Sequence, residues 1–235
     1  MAADKTNQSI SKHSNPDSVQ RLLASSGIVA PILFAGLLII LGLLESGYSH
    51  RTETMSVLGG VGGWRGAAFN VGIALVGLLL IGFAIGLHRG IGEGAGSKVG
   101  PILLVLGGVG LVGSAIFHCN QGCTNVLKSP TLAGRMHIVT SFLTGFCLSI
   151  APFAIFVKLR NDQRWKNYRW FTLAMGILAN LPGLTLWISF FTTRIPEWEG
   201  LIQRLGIVFP LLWIEVIAIR LLSLNGQLRS ETDDK

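Results

Sequence analysis

The sequence predicts an all-α protein, an integral membrane helical bundle of six transmembrane helices, and three observations carry that reading. Half of the 235 residues are hydrophobic and only 13% are charged, about half the charged share of a soluble domain. The apolar residues come in blocks of roughly twenty, enough for a helix rising 1.5 Å per residue to cross about 30 Å of hydrocarbon. The basic residues fall between or at the ends of these blocks, where they set the direction of insertion.

Residues 1–20 have no apolar periodicity and are rich in Ser, Asn, Asp and Lys, the composition of a disordered cytoplasmic tail. The first span covers 21–44. Its apolar part is longer than the core of a signal peptide and no small-residue cleavage site follows, so it stays in the membrane. The stretch 45–65 is polar and turn-rich, with Gly59-Gly60 and Gly62-Gly63 permitting sharp reversals. The second span covers 66–88 and the third 99–118. The turn between them reads Gly96-Ser97-Lys98, not the Gly-Lys-Ser/Thr order that a phosphate-cradling loop needs after a strand. Gly82 and Gly86, and Gly107, Gly110 and Gly113, recur at helical spacing, so tight packing involving the second and third spans is expected.

The fourth span covers 134–157 and precedes the densest basic stretch, KLRNDQRWKNYR. The fifth covers 170–191 and contains Pro182, which removes a backbone donor and clashes with the preceding turn, so a kink is expected there. A short loop with Glu197, Trp198 and Glu199 leads to the sixth span, 201–222, and 223–235 reads as a second solvated cytoplasmic tail. Residues 21–222 thus form one transmembrane domain. Trp64, Trp165, Trp170, Trp187 and Trp198 lie at or near span ends, the positions of an aromatic belt.

The net charge of +7 does not indicate a nucleic-acid partner, because the basic residues are scattered among short loops instead of gathered on one polar face. They do fix a topology. Thirteen of the 19 Lys and Arg lie on the side that carries the termini and six on the other, which puts both termini in the cytoplasm of a multi-pass cell-membrane protein. The segment 114–137, SAIFHCNQGCTNVLKSPTLAGRMH, then faces outward, and the polar groups that could carry chemistry are there or at the same depth.

The candidate ligand-binding residues are His50, Glu53, His118, Arg135 and His137, with Glu197 and Glu199 nearby in depth. Cys119 and Cys123 are a disulfide candidate, since the turn between them can bring the Cα atoms to the roughly 4.4–6.8 Å such a bond requires. A zinc ion among His118, Cys119, Cys123 and His137, with His50, is a competing reading. The spacing fits no common zinc motif, and no metal or cofactor is assigned. The third reading makes the histidines and Arg135 interfacial groups satisfied by loop carbonyls, water or lipid phosphates. Cys147, alone in an apolar run, reads as a small buried hydrophobe.

Two polar residues lie within spans. Glu215 stands about two thirds of the way through the sixth, where an ionised carboxylate costs roughly 2.5–3.5 kcal/mol on insertion scales, so it needs a partner or a proton. Arg220 is five residues on, an imperfect spacing for a same-helix pair. Asn180, beside Pro182, is read as a helix-to-helix hydrogen bond. No Gly-x-Ser-x-Gly elbow occurs, and no Ser, His and acid can be joined by sequence alone.

YSHRTETMSVLGG after the first span, FHCNQGC at the end of the third, a His in the opening turn of the fourth and GLIQRLGIVFPLLWIEVIAIRLL as the sixth together resemble the domain-of-unknown-function 998 family of bacterial and archaeal multi-pass membrane proteins. The resemblance runs over about 26–222 and implies a small helical integral membrane protein, with no catalytic role to carry over. Where members of that family often show Phe-Pro-Cys-Asp, this chain has Phe117-His118-Cys119-Asn120.

The sequence favours a non-enzymatic membrane protein that binds a membrane lipid or small amphiphile, or a partner membrane protein or second copy of itself, through an outward-facing polar pocket. The alternative is a membrane-embedded, metal-dependent enzyme acting on lipid headgroups, which would need an ion or nucleophile at His118 or His137. A small secondary transporter comes third, because transport calls for an inverted repeat with matching broken helices and only the fifth span has an obvious break.

Overall fold

The computed structural model describes residues 16–94, 97–120, 123, 131–192 and 196–233. Residues 1–15, Gly96, Lys128, Arg194 and the side chain of Trp187 lie outside what is described. The described residues form helices and no strand: α1 (Pro16–Leu44), the single turn α2 (Ser56–Gly59), α3 (Trp64–Gly90), α4 (Val99–Ile116), α5 (Leu132–Leu159), α6 (Arg169–Thr192) and α7 (Glu199–Asp233). Five of them, α1, α3, α4, α5 and α7, are long and apolar enough to cross a membrane.

The long helices lie side by side in the order α1, α3, α4, α5, α6, α7, and α7 closes the ring against α1. Helix α7 also touches α5 and α3 across the ring, so one of its faces is the core of the molecule. Trp213, Ile214, Ile217, Ala218 and Leu221 on that face are wholly buried. The rim is the reverse of a water-soluble surface: Leu43, Val71, Ile116, Leu184 and Ile219 are more than half exposed. Apolar surface that extensive is matched to hydrocarbon rather than water.

Small residues set the spacing of the ring. A Cβ on Gly77 of α3 would stand 2.6 Å from the Gly108 carbonyl oxygen of α4, and a Cβ on Gly108 would stand 2.6 Å from that of Gly77. The two backbones therefore touch where neither residue has a side chain. The glycines expected to mediate packing are divided between two seams. Gly82 and Gly86 face Ser26 and Leu23 of α1, while Gly107 faces Leu148 of α5.

Several boundaries differ from the sequence expectation. Helix α1 starts at Pro16, so 16–20 are helical rather than tail; proline suits a first helical position because its missing donor is not needed there. Helix α4 stops at Ile116 instead of 118, with Phe117 leaving helical geometry at ψ 58°. Helix α7 continues to Asp233, so most of the expected second tail is helical. Helix α6 is continuous through Pro182. There Asn180 Nδ2 donates to the Ser149 carbonyl of α5 at 3.1 Å and to Gly176 at 2.8 Å, the helix-to-helix bond expected of it.

The aromatic belt also needs a correction. Trp64 and Trp170 are exposed at helix ends, but Trp165 is wholly buried and meets Tyr168 edge-on at 6.2 Å. It anchors the short turn Gln163–Trp165 under the bundle. That end is tied by Lys158 Nζ donating to the Glu93 carbonyl at 2.6 Å and Arg220 donating to the Arg164 carbonyl at 2.8 Å. Arg220 also lies over the Tyr168 ring and donates to Ser223, so it is engaged away from Glu215. Glu215 is half-buried and has no hydrogen bond or ion pair among the described residues.

Candidate functional site

The opposite end of the bundle, formed by the 45–63 loop, residues 117–120 with the start of α5, and the start of α7, carries two polar clusters. The first is built on the 45–63 loop. Gly47 takes φ 83°, a left-handed conformation that turns the chain off α1. Glu53 N–H then donates to the Ser49 carbonyl at 2.9 Å, and Ser49 N–H donates to Glu53 Oε2 at 2.8 Å. This reciprocal pair closes one helical turn, as a capping box does.

Arg204, in the second turn of α7, holds that turn in place. Its Nη1 donates to the carbonyls of His50 at 2.6 Å, Glu53 at 2.9 Å and Gly200 at 2.7 Å. Its Nη2 donates to the Tyr48 hydroxyl, and its guanidinium lies 5.6 Å from the Tyr48 ring centre. Gln203 accepts from Met55 N–H at 2.7 Å, and Leu201 N–H donates to the Arg51 carbonyl at 3.0 Å. Arg51 itself stacks over Trp198 at 5.2 Å. Burial raises the Tyr48 pKa against the opposing pull of Arg204. Burial, and then the Arg204 charge, lower that of His50 and favour its neutral ring.

A cleft of about 410 Å³ opens on this loop, lined by Glu45, Tyr48, Glu53, Val57, Gly60 and Arg65 among others. Arg65 is one of its walls: Nε pairs with Glu45 Oε2 at 3.0 Å and Nη1 donates to the Leu44 carbonyl at 3.3 Å. The volume is in the range of small-molecule sites.

The second cluster lies on the seam of α4 and α5. Thr131 caps α5 by accepting from Gly134 N–H at 3.1 Å, and it pairs with Asn120 at 3.0 Å. His137, 7% exposed, has Nδ1 2.9 Å from the Phe117 carbonyl, with the Ser114 carbonyl also against the ring. Its Nε2 faces Ser141 Oγ at 3.4 Å. Ser114 Oγ reaches Thr140 Oγ1 at 3.0 Å and Ser141 Oγ at 3.3 Å. Cys119 and Cys123 are within bonding distance, with Cα atoms 5.4 Å apart. The clusters adjoin at Gly60, where a Cβ would stand 2.9 Å from the Asn120 carbonyl oxygen and 3.0 Å from that of Cys119. A side chain there would push the two loops apart.

The structure thus divides the sequence-derived candidates. His50 and Glu53 belong to the Arg204 cluster, and His137 belongs to the α4–α5 seam. His118 is exposed with Nδ1 3.2 Å from the carbonyl of its neighbour Cys119, and the exposed Arg135 joins neither cluster. No three metal-ligating side chains converge among the described residues, and pairing of Cys119 with Cys123 uses both thiols. Tyr48, Arg65, Arg204, Ser114 and Ser141 were not singled out as site residues from the sequence. Their signal lay in partners far along the chain: 154 residues separate Arg204 from His50 and 27 separate Ser141 from Ser114.

Both clusters fall inside the stretch 28–220 that matches the family model described as "Protein of unknown function (DUF998)". The chain belongs to the DUF998 family. The sequence phrases that carried the resemblance meet in space. In this DUF998 chain Gln203 and Arg204 of the sixth-span phrase hold the YSHRTETM loop, and the Phe117 carbonyl of the FHCNQGC phrase lies 2.9 Å from His137 Nδ1. No curated protein and no solved structure matches the chain.

Proposed function

We propose that this protein is a six-span bundle with cytoplasmic termini whose outward end binds the headgroup of an amine-bearing lipid or small amphiphile. The observation that carries the reading is the charge of the 410 Å³ cleft: its walls contribute two carboxylates, Glu45 and Glu53, and one guanidinium, Arg65. One negative charge in excess suits an ammonium group, with Arg65 beside it for a phosphate. Leu43, Leu44 and Trp64, adjacent in sequence to the cleft walls, are 78%, 48% and 66% exposed, so an acyl chain has an apolar track beside the mouth.

Helix α6 serves as the sixth span in this reading. The chain leaves α5 at the end tied to Glu93 and enters α7 at the end tied to Arg51, so α6 must run the length between. In this reading Cys119 and Cys123 form a disulfide in the oxidising exterior.

Native mass spectrometry of the detergent-purified protein with phosphatidylethanolamine and phosphatidylglycerol tests the function. The ethanolamine lipid is expected to be retained at least about tenfold better, a difference of about 1.4 kcal/mol, and Glu53→Gln should remove the preference. Equal retention of the two lipids by the unaltered protein contradicts it.

A further inference from the structure

We propose that Ser141 and His137 form a nucleophile and base for acyl transfer on a membrane-lipid ester, at a site separate from the headgroup cleft. The geometry fixes the tautomer. Phe117 offers a carbonyl, which can only accept, so the 2.9 Å contact places the imidazole proton on Nδ1. In the neutral ring Nε2 is then the acceptor, and Ser141 Oγ faces it at 3.4 Å, one helical turn along α5. This is the relation of an activated serine to its base, with a main-chain carbonyl orienting the ring where an acid often does. Ser114 supplies a second hydroxyl 3.3 Å from Ser141 Oγ, close enough to donate to an oxyanion formed there.

Position argues for a substrate arriving from the lipid. Ser114 and Ser141 are half-buried on the α4–α5 seam, and at the same level the outer faces of the two helices carry exposed apolar side chains: Ile116 is 66%, Val139 56% and Phe142 47% exposed. Ser141 is nine residues into α5, roughly 13 Å from the helix start, a depth that the ester of a lipid sinking into the seam can reach.

The reaction is ester hydrolysis in two halves. Ser141 Oγ bonds to the acyl carbon while its proton passes to His137 Nε2, and the Ser114 hydroxyl turns from Thr140 to the oxyanion. Collapse breaks the bond to the alcohol oxygen, which leaves with the proton from Nε2, and the acyl group remains on Ser141. Water attacks that acyl group, gives a proton to Nε2 and releases the carboxylic acid, while the Nε2 proton returns to Ser141.

The test is labelling of the purified full-length protein with an alkyl fluorophosphonate, read by intact mass and by peptide mapping of the adduct, on samples checked for folding by gel filtration and thermal midpoint. The adduct is expected on Ser141 and absent from Ser141→Ala. His137→Gln should slow labelling by roughly 10²- to 10⁴-fold, the usual contribution of a positioned base, and Ser149→Ala on the same helix should label at the original rate. Folded protein that takes no adduct, an adduct on another residue, or undiminished labelling of His137→Gln overturns the proposal.

Discussion

Arg204 joins elements that the chain order keeps apart. One guanidinium satisfies the carbonyls of His50, Glu53 and Gly200 and the Tyr48 hydroxyl, while Arg135, on the same end of the molecule, has an exposed side chain that enters neither cluster. From the sequence Arg135 was the candidate ligand-binding residue, and Arg204 was only a charge counted for topology. Charge is legible in a sequence, but the carbonyls that will receive it are set by tertiary contact. Hydrogen bonds to charged groups contribute about 1.5–3 kcal/mol each and are not additive. Arg204→Ala should therefore destabilise the detergent-solubilised protein by about 3 kcal/mol, and Arg135→Ala by less than about 0.5 kcal/mol. Thermal unfolding of the two variants side by side checks this, and equal losses would contradict the role given to Arg204. His137 and Ser141 show the same limit: their i, i+4 spacing was visible, but the Phe117 carbonyl that orients the ring comes from α4.

Among the helices, the apolar blocks were enough to place every long element, because hydrocarbon thickness imposes a length that the sequence must display. Their ends were less legible. Helix α1 gained residues before Arg21 and α7 continued past Leu222, since polar residues continue a helix beyond the apolar block without any change in hydropathy. Trp165 was misread because position near a span end does not say whether a ring turns to lipid or to the core. The glycine spacing signalled close packing, yet the tightest backbone approach between two long helices among the described glycines, Gly77 on Gly108, involves none of the glycines that spacing singled out. A methyl group on Gly108 must displace a main-chain oxygen, so Gly108→Ala should cost about 1–3 kcal/mol, the range for overpacking. The same substitution at Gly145, where a Cβ meets nothing within 4 Å, should be neutral or slightly stabilising in the same thermal assay.

The whole molecule is a ring of helices with a fixed end-to-end polarity. One end gathers residues 91–94 and the 160–168 turn, and the other gathers the cleft, the cysteine pair and the Arg204 cap. In the proposed topology the second end faces the exterior, and α6 crosses so that Gly62 and Glu197 lie on the same side. The most direct test places single cysteines at Gly62, Asn161 and Glu197 in a background with Cys119, Cys123 and Cys147 replaced by alanine, and exposes intact cells to a membrane-impermeant maleimide. Labelling at 62 and 197 with protection at 161 is the expected result. Labelling at 161, or the same response at 161 and 197, would contradict an outward-facing cleft on a six-span bundle.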